Sequence, residues 1–326
     1  MNLPTHLSLR FEKLFGDYRK QLARARKTGD EDCVHQLRVA SRRILETFRV
    51  FDGAVDSAAV KPIRKSLKKW MKGSGSVRDL DIAIQLARES GASDAPGLIA
   101  LWEDRRKSRW ERMLPLLKAG SLWKGTSKVS SVVPEAAPAV QGGIWDSALN
   151  ATQNASLTLP LMLDRYVMIG DALVEGEAAE TDYHSFRLRT KRIRYTVESF
   201  EGFYPREAFR EVLGKLKGFQ QTLGALHDCF VVASLVAMAE AKDLAEGDSS
   251  SLEQGAPNDL LHYLDRRSAA LRAEWHKNWR EFTQPDIQTE TRRFLRESAA
   301  EPPALPAKRK AKHEGALKAE AARIAS

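Results

Sequence analysis

A helical motif that occurs twice constrains this chain more than any other feature of its sequence. The first copy, HQLRVASRRIL, begins at His35, and the second copy, HSFRLRTKRIR, begins at His184. The offset of 149 residues between these two histidines continues without a gap as far as Asp79 and Asp228. An alignment of that length predicts that the chain contains an internal duplication of one helical unit.

Both copies have the periodicity of an amphipathic helix, with about 100° between successive residues. One side of each helix is apolar, and the opposite side carries the following residues: His35, Arg38, Arg42 and Arg49 in the first copy, and His184, Arg187, Lys191 and Arg194 in the second. An ordinary solvated face is the alternative interpretation, but such faces usually mix both signs of charge. Glu46 and Glu198 are the only acids near the two stripes, so the pattern favours an outward cationic surface on each helix.

The positive charge is concentrated near the beginning of the chain. The formal net charge is +9, and residues 1–72 contain 17 Lys and Arg against 8 Asp and Glu. A field of one sign predicts a polyanionic partner or an anionic surface. No apolar run approaches the roughly 18 to 20 residues that span a bilayer, and no signal peptide is recognisable. Two cysteines, Cys33 and Cys229, are typical of a reducing compartment, so we expect a cytoplasmic protein without a membrane span.

Periodic segments separated by glycine and proline predict an all-α fold with two helical bundles in series. Helices are expected at residues 7–27, from about 30 to 52, 57–72, 77–90, 95–118, 157–174, 183–200, 205–222, 226–245 and 260–282. The predicted domains are a first bundle repeat at 5–119, a linker at 120–144, a second bundle repeat at 145–283 and a disordered basic tail at 297–326.

The paired motif resembles the CHAD family, the conserved histidine α-helical domain. Each copy has the pattern H-x-x-R-x-x-x-[RK]-R, followed by an Asp 44 residues after the His. The segments GSGSVRDLD at 73–81 and LGALHD at 223–228 are similar to the second signature of the family. The resemblance extends over about residues 7–282. It implies two pseudosymmetric antiparallel bundles with a basic central groove, and binding of inorganic polyphosphate without catalysis, in some members on polyphosphate or polyhydroxyalkanoate granules.

The resemblance and the cationic stripes together define candidate ligands for polyphosphate. Arginine offers a planar fork that suits phosphate oxygens, and lysine supplies a mobile charge. The candidates are His35, Arg38, Arg42, Arg43, Lys65, Lys68, Lys72, Arg78, His184, Arg187, Lys191, Arg192, Arg194, Lys217 and His227. We expect Asp79 and Asp228 to orient arginines, with helix capping as the alternative, because a carboxylate that faced phosphate would repel it. Because the second copy has His227 in place of Arg78 and fewer lysines, we expect the first half to hold more of the ligand.

Nucleic-acid binding is the main alternative function. Single-strand binders place aromatic side chains among their basic residues so that bases can stack. In this sequence the aromatic residues Phe48, Phe51, Phe186 and Phe200 fall on the inward stripes, and Tyr195 alone lies near a basic stripe. We therefore expect only weak, salt-sensitive binding of RNA or DNA, which the tail at Lys308–Lys312 would favour.

Metal binding and catalysis have less support in the sequence. Each motif copy supplies too few closely spaced ligands for a metal, and the neighbouring cations would oppose one. The chain has no G-x-x-x-x-G-K-[ST] loop for a nucleotide, although a phosphohistidine at His35 or His184 stays chemically open. We expect no catalytic residue, no cofactor and no metal, and the oligomeric state and the preferred polyphosphate length stay open.

Overall fold

The computed structural model of the protein describes residues 2–28, 30–118, 132–133, 145–146, 149–246 and 258–300. Within these ranges the regular structure is helical, apart from one isolated β-bridge that joins Asn2 to Asn150. The predicted all-α class is therefore confirmed. The internal duplication stays a prediction.

Helices α1 to α5 come from the first half of the chain: α1 (Leu3–Lys27), α2 (Glu31–Val50), α3 (Ser57–Gly73), α4 (Gly75–Ser90) and α5 (Ala95–Lys118). Helices α6 to α10 come from the second half: α6 (Ala151–Glu175), α7 (Glu180–Ser199), α8 (Arg206–Glu246), α9 (Asn258–Phe282) and α10 (Pro285–Glu297), with a 3-10 turn at Glu201–Phe203 after α7. Side-chain caps begin several of these helices, because Asp30, Asp56 and Asn150 each accept a hydrogen bond from a backbone amide of the first turn.

Helix α8 differs from the sequence prediction, which placed a break between residues 222 and 226. The helix is continuous over 41 residues. At the corresponding point of the first half, α3 ends at Gly73, and Ser74 separates it from α4, which begins at Gly75. The residue at the same offset in the second half is Leu223, which is buried in the larger hydrophobic cluster.

Helix α10 was not predicted, because residues 285–297 are strongly charged and only a few of them are apolar. A proline at the first helical position, Pro285, is the sequence signal that favours a helix start there. The helix packs against α6, and Arg292 of α10 forms an ion pair with Asp164 of α6.

The hydrophobic core is shared between the two halves of the chain. The larger cluster joins buried side chains of α1, α2 and α3 to those of α6, α7 and the first part of α8. In this cluster Trp145 lies between the halves, with its ring 4.8 Å from that of Phe51 and 5.3 Å from that of Phe200. A smaller cluster joins α4 and α5 to α8 and α9, for example through Trp102 and Val232. Each large buried side chain contributes roughly 1.5–3 kcal/mol, so both halves depend on contacts with each other.

The predicted linker and tail lie largely outside the described residues. The described part of the linker includes Val132, whose carbonyl oxygen accepts a hydrogen bond from the amide of Asp56 at 2.8 Å. Trp145 directly follows the predicted linker, and its indole nitrogen donates to the carbonyl oxygen of Val50 at 2.6 Å. The tail beyond Ala300, including the basic segment Lys308–Lys312, is outside the described residues.

One described segment is long and apolar enough to cross a membrane, namely Arg206–Ala239 within α8. The core helix of a soluble protein has the same composition. Leu216, Phe219 and Leu226 of α8 are indeed buried in the larger cluster. The expected absence of a membrane span therefore stays a prediction.

The packing of four helices determines where the motif residues meet. Helix α2 carries the first motif copy and packs against α7, which carries the second. Helices α4 and α8, which hold the two downstream aspartates, pack against each other, and they also pack against α2 and α7 respectively. The two copies of the motif are thus brought to a common place.

Candidate functional site

Cations from both halves of the chain meet where α2, α4, α7 and α8 converge. The charge of Arg42 on α2 contributes to lowering the pKa of Arg187 and of Lys191 on α7, after the larger effect of burial. Between α8 and α4, the carboxylate of Asp228 lies in the field of Arg78. We name the five converging side chains the cation centre: Arg38, Arg42, Arg78, Arg187 and Lys191.

Lys191 is the most perturbed member of the cation centre. Only 6% of this residue is exposed. Burial, followed by the charges of Arg42 and Arg187, lowers its pKa to about 6, and the charges of Asp228 and Glu46 oppose the shift. The ammonium ion is therefore disfavoured at neutral pH until an anion restores its proton.

Arg38 joins the cation centre to the end of α3. Its Nη1 donates to the carbonyl oxygen of Met71 at 2.9 Å and to the hydroxyl of Ser74 at 2.5 Å. Burial lowers the pKa of Arg38 to about 10, and the charge of Arg42 acts in the same direction. Arg38 therefore stays charged at neutral pH and satisfies a carbonyl group at a helix terminus that would otherwise lack a donor.

Two arginines of the second motif have buried N–H groups without an acceptor. Among the described residues, the Nε atoms of Arg187 and Arg192 make no hydrogen bond and have no significant contact with solvent. Burial also lowers the pKa of both side chains. A buried donor without a partner costs roughly 1–3 kcal/mol, and more when it is charged, so an anion that supplied oxygen atoms here would be stabilised.

Asp79 and Asp228 lie among the arginines. Burial raises the pKa of both carboxyl groups, and the cations oppose this shift, with Arg38 acting most strongly on Asp79 and Arg187 most strongly on Asp228. Capping is excluded for both residues, because Asp79 is inside α4 and Asp228 is inside α8. The orienting role stays a prediction.

The histidines of the motif have different neighbours in the two halves. Nδ1 of His184 lies 3.3 Å from Nδ1 of His227, so one ring donates a hydrogen bond to the other. Burial, followed by the charge of Arg187, lowers the pKa of His227 to about 4. His35 instead lies near Arg78, and burial followed by this charge lowers its pKa as well. His35 and His227 are therefore neutral at pH 7 and would bind an anion as N–H donors.

Two of the predicted ligands, Arg43 and Arg194, are bound to the carboxylate of Glu198. Glu198 pairs with Arg194 at 3.1 Å and with Arg43 at 3.5 Å. Arg194 also donates from Nε to the side-chain oxygen of Gln220 at 2.6 Å, and its guanidinium lies 4.0 Å from the ring centre of Tyr195. The predicted outward position of Arg194 is wrong, because α8 covers that edge of the motif helix and leaves the residue 6% exposed.

The predicted lysines other than Lys191 lie outside the cation centre. Lys65, Lys68 and Lys72 are exposed on α3, and Lys217 is exposed on α8. Arg78, which belongs to the centre, also pairs with Glu31 at 2.9 Å. The lysines would therefore contact a ligand only where it extends beyond the buried cations.

Two residues near the cation centre were not predicted as site residues. Arg109 of α5 donates to the carbonyl oxygen of Ser76 at 3.3 Å, and its charge lowers the pKa of Asp79. Glu46 raises the pKa of Lys191, and its Oε2 is buried without a hydrogen bond among the described residues. Only Glu46 had a sequence signal, as an acid on the cationic stripe, because nothing in α5 distinguishes Arg109 from its other arginines.

One group of possible metal ligands occurs in the described part of the chain, formed by Asp30, Asp32 and Cys33 at the start of α2. The carboxylate of Asp30 accepts the amide hydrogen of Cys33 at 2.7 Å and thereby caps the helix. Helix capping accounts for this arrangement, and exposed acidic groups of this kind are common without a metal.

Comparisons with known proteins agree with this fold. The chain is similar to the crystal structure of the CHAD domain from the plant Ricinus communis, with 17% identity, a TM-score of 0.63, and coverage of 94% of this chain and 95% of that chain. It is also similar to PptA from Streptomyces chartreusis, with 14% identity, a TM-score of 0.59, and coverage of 86% and 100%. At these identities the likeness shows the fold alone.

No curated protein matches the chain. The model of the family described as the CHAD domain matches residues 10–237, which is well over half of the sequence. This range contains both motif copies and both downstream aspartates, so the resemblance seen in the sequence is confirmed. The chain belongs to the CHAD family.

Proposed function

We propose that this protein binds inorganic polyphosphate without catalysis, in a basic groove whose floor is the cation centre. Membership of the CHAD family fits a polyphosphate-associated role. The observation that carries the proposal is the convergence of partly buried arginines from both halves around an almost fully buried Lys191. Such a cluster is unfavourable by itself, because each buried charge costs several kcal/mol of desolvation unless an opposite charge is present.

An extended polyanion suits these donors. Polyphosphate presents oxygens along its whole length, so guanidinium forks and an ammonium group can each contact separate phosphates. Arg187 and Arg192 both have buried Nε groups that lack an acceptor among the described residues. Neutral His35 and His227 add N–H donors, and the exposed lysines of α3 add charge for a longer ligand.

The positions of the aromatic residues favour polyphosphate over single-stranded nucleic acid. Phe48, Phe51, Phe186 and Phe200 are at most 2% exposed, and Tyr195 is 3% exposed beneath Arg194. None of these rings is available to stack on a base, so RNA or DNA would be held through its phosphates alone.

A competition experiment tests this preference directly. Single-stranded RNA and polyphosphate of equal total charge would compete for the labelled protein at one fixed salt concentration. We expect polyphosphate to displace RNA at a lower concentration of charge than RNA displaces polyphosphate, because it offers phosphate oxygens at a higher density. Tighter binding of RNA would overturn the proposal in favour of nucleic-acid binding.

The non-catalytic part of the proposal needs its own test, because His35 and His227 are neutral and a neutral imidazole is the nucleophilic form. His184 is hydrogen-bonded to His227, and cations surround the ring of His35. Incubation with polyphosphate, ATP and a divalent metal is expected to release no phosphate and to label no histidine. Either product would show an enzyme, and a phosphohistidine at His35 or His184 would identify its nucleophile.

The proposed site would also direct the protein to polyphosphate granules in the cytoplasm. A fluorescent fusion is expected to colocalise with polyphosphate granules. The fusion is expected to become diffuse when the cation centre is substituted. Colocalisation with polyhydroxyalkanoate granules in cells that lack polyphosphate would instead favour that alternative.

A further inference from the structure

The two ends of the α2–α7 pair differ in charge at one corresponding position. Arg49 of α2 and Glu198 of α7 occupy the same place under the offset of 149 residues. Their surroundings correspond as well, because Glu198 lies 3.5 Å from Arg43, and Arg49 lies in the field of Arg192, which is the counterpart of Arg43. Corresponding positions at the two ends of the α2–α7 pair therefore carry the carboxylate of Glu198 at one end and the guanidinium of Arg49 at the other.

At the Glu198 end, the cations are already bound to an internal anion. The carboxylate of Glu198 pairs with Arg194 at 3.1 Å, with Arg43 at 3.5 Å and with Arg10 at 3.7 Å. The side chains of Glu198, Arg194 and Arg10 are only 12%, 8% and 10% exposed. A phosphate at this end would approach a fixed negative charge and would have to displace it from these arginines.

At the Arg49 end, the cations are accessible. Arg49 and Arg189 are exposed and form no ion pair within the described part of the chain. Both charges lower the pKa of Arg192, after the larger effect of burial, so the three guanidinium groups lie near one another. Arg49 lies about 10 Å beyond Arg42 along the axis of α2, so it extends the cationic stripe of this helix past the cation centre. Among the described residues, Glu46 is the one acid whose charge acts on Arg192, so positive charge prevails at this end.

We propose that Glu198 closes one end of the groove, so that a polyphosphate chain longer than the cation centre leaves it only past Arg49, Arg189 and Arg192. This inference rests on the proposed function and specifies how the ligand runs. Arg43 and Arg194 then hold Glu198 in place and are not ligands. The affinity then depends on polyphosphate length through contacts at the Arg49 end alone.

A matched pair of variants tests this direction. Arg49→Gln and Arg43→Gln each remove one guanidinium from α2, the first at the Arg49 end and the second at the Glu198 end. Tripolyphosphate and long-chain polyphosphate serve as probes. At about 0.15 M salt, Arg49→Gln is expected to weaken long-chain binding about fivefold, as the loss of one phosphate contact does in nucleic-acid complexes. In Arg49→Gln, the affinity for tripolyphosphate is expected to change less than about twofold. In Arg43→Gln, the affinities for both ligands are expected to change less than about twofold.

A third variant, Glu198→Gln, is expected to increase long-chain affinity and to make binding sensitive to the substitution of Arg43. Thermal unfolding checks that each variant is folded, and the first two variants decide the question if Glu198→Gln is not. Equal losses in Arg49→Gln and Arg43→Gln, with the wild-type protein binding both ligands, would overturn the one-sided groove alone. If the wild-type protein bound neither ligand, the proposed function would fail and this inference with it.

Discussion

Lys191 shows how a single buried residue links ligand binding to pH. Its pKa is about 6 in the ligand-free protein, compared with the ordinary value of 10.5. A bound polyanion would favour the ammonium form and raise this pKa. Between the lowered and the ordinary value, binding therefore has to take up a proton, whereas below about pH 6 the lysine is already charged in both states.

Calorimetry can measure this proton uptake. Titrations with polyphosphate in two buffers of different ionisation enthalpy, at about pH 7.5, are expected to show uptake of up to one proton per site. The uptake is expected to vanish in Lys191→Arg, which stays charged at this pH and keeps the contact. If wild-type protein and Lys191→Arg took up equal amounts of protons, Lys191 would not be the titrating group.

The roles of the individual arginines were only partly predictable from the sequence. The helical periodicity placed Arg42 and Arg187 on the cationic stripe, and the structure brings them together. Arg194 lies on the edge of the same stripe, but its neighbours Gln220 and Glu198 bind it inside the protein. The direction of a side chain follows from helix geometry, whereas its partner depends on which helix packs there, and the sequence does not specify this locally.

Among the helices, α2 and the end of α3 are joined by the side chain of Arg38. Arg38 donates to the carbonyl oxygen of Met71 and to the hydroxyl of Ser74, and both acceptors are at the end of α3. The side chain of Arg38 therefore positions α3 relative to the cation centre, in addition to its charge.

Substitution of Arg38 is expected to destabilise the protein as well as weaken its binding. Arg38→Ala would leave helix-terminal acceptors without their donor, at a cost of roughly 1–3 kcal/mol, and lower the melting temperature by several degrees. Arg42→Ala, which removes an equal charge from the next turn of α2, is expected to leave the melting temperature nearly unchanged. Equal melting temperatures for the two variants would contradict the structural role of Arg38.

The helices with strong apolar periodicity were predicted well. The errors concern the continuity of α8 and the weakly apolar helix α10. The motif helix α2 was expected from about residue 30 to 52 and is observed at Glu31–Val50. The break predicted near Gly224 does not occur in α8, where Leu223 and Leu226 are buried in the larger hydrophobic cluster. Glycine alone did not terminate the helix, since its cost of about 1 kcal/mol is smaller than the packing free energy of the buried residues around it.

Over the whole molecule, the shared core predicts cooperative unfolding. Buried residues of both halves occur in each hydrophobic cluster, and Trp145 links Phe51 to Phe200. Separation of the halves would expose both clusters to water. The predicted internal duplication therefore does not imply two independent folding units.

Differential scanning calorimetry is expected to show one unfolding transition, with equal calorimetric and van't Hoff enthalpies. Trp145→Ala is expected to lower the temperature of that single transition, because it removes a large buried ring from the contact between the halves. Two resolved transitions, with only one affected by Trp145→Ala, would mean that the halves unfold separately.

The central claim is that converging cations of both motif copies bind polyphosphate, and titration at two salt concentrations tests it most directly. The variant Arg42→Ala with Arg187→Ala is compared with a control of equal charge, Arg165→Ala with Arg293→Ala, whose arginines are exposed on α6 and α10. The first variant is expected to bind polyphosphate about thirtyfold more weakly near 0.15 M salt. The slope of its log binding constant against log salt concentration is expected to be smaller by about two, and the control is expected to change little. Equal losses in both variants would contradict the central claim, because the attraction would then come from net charge and not from this site.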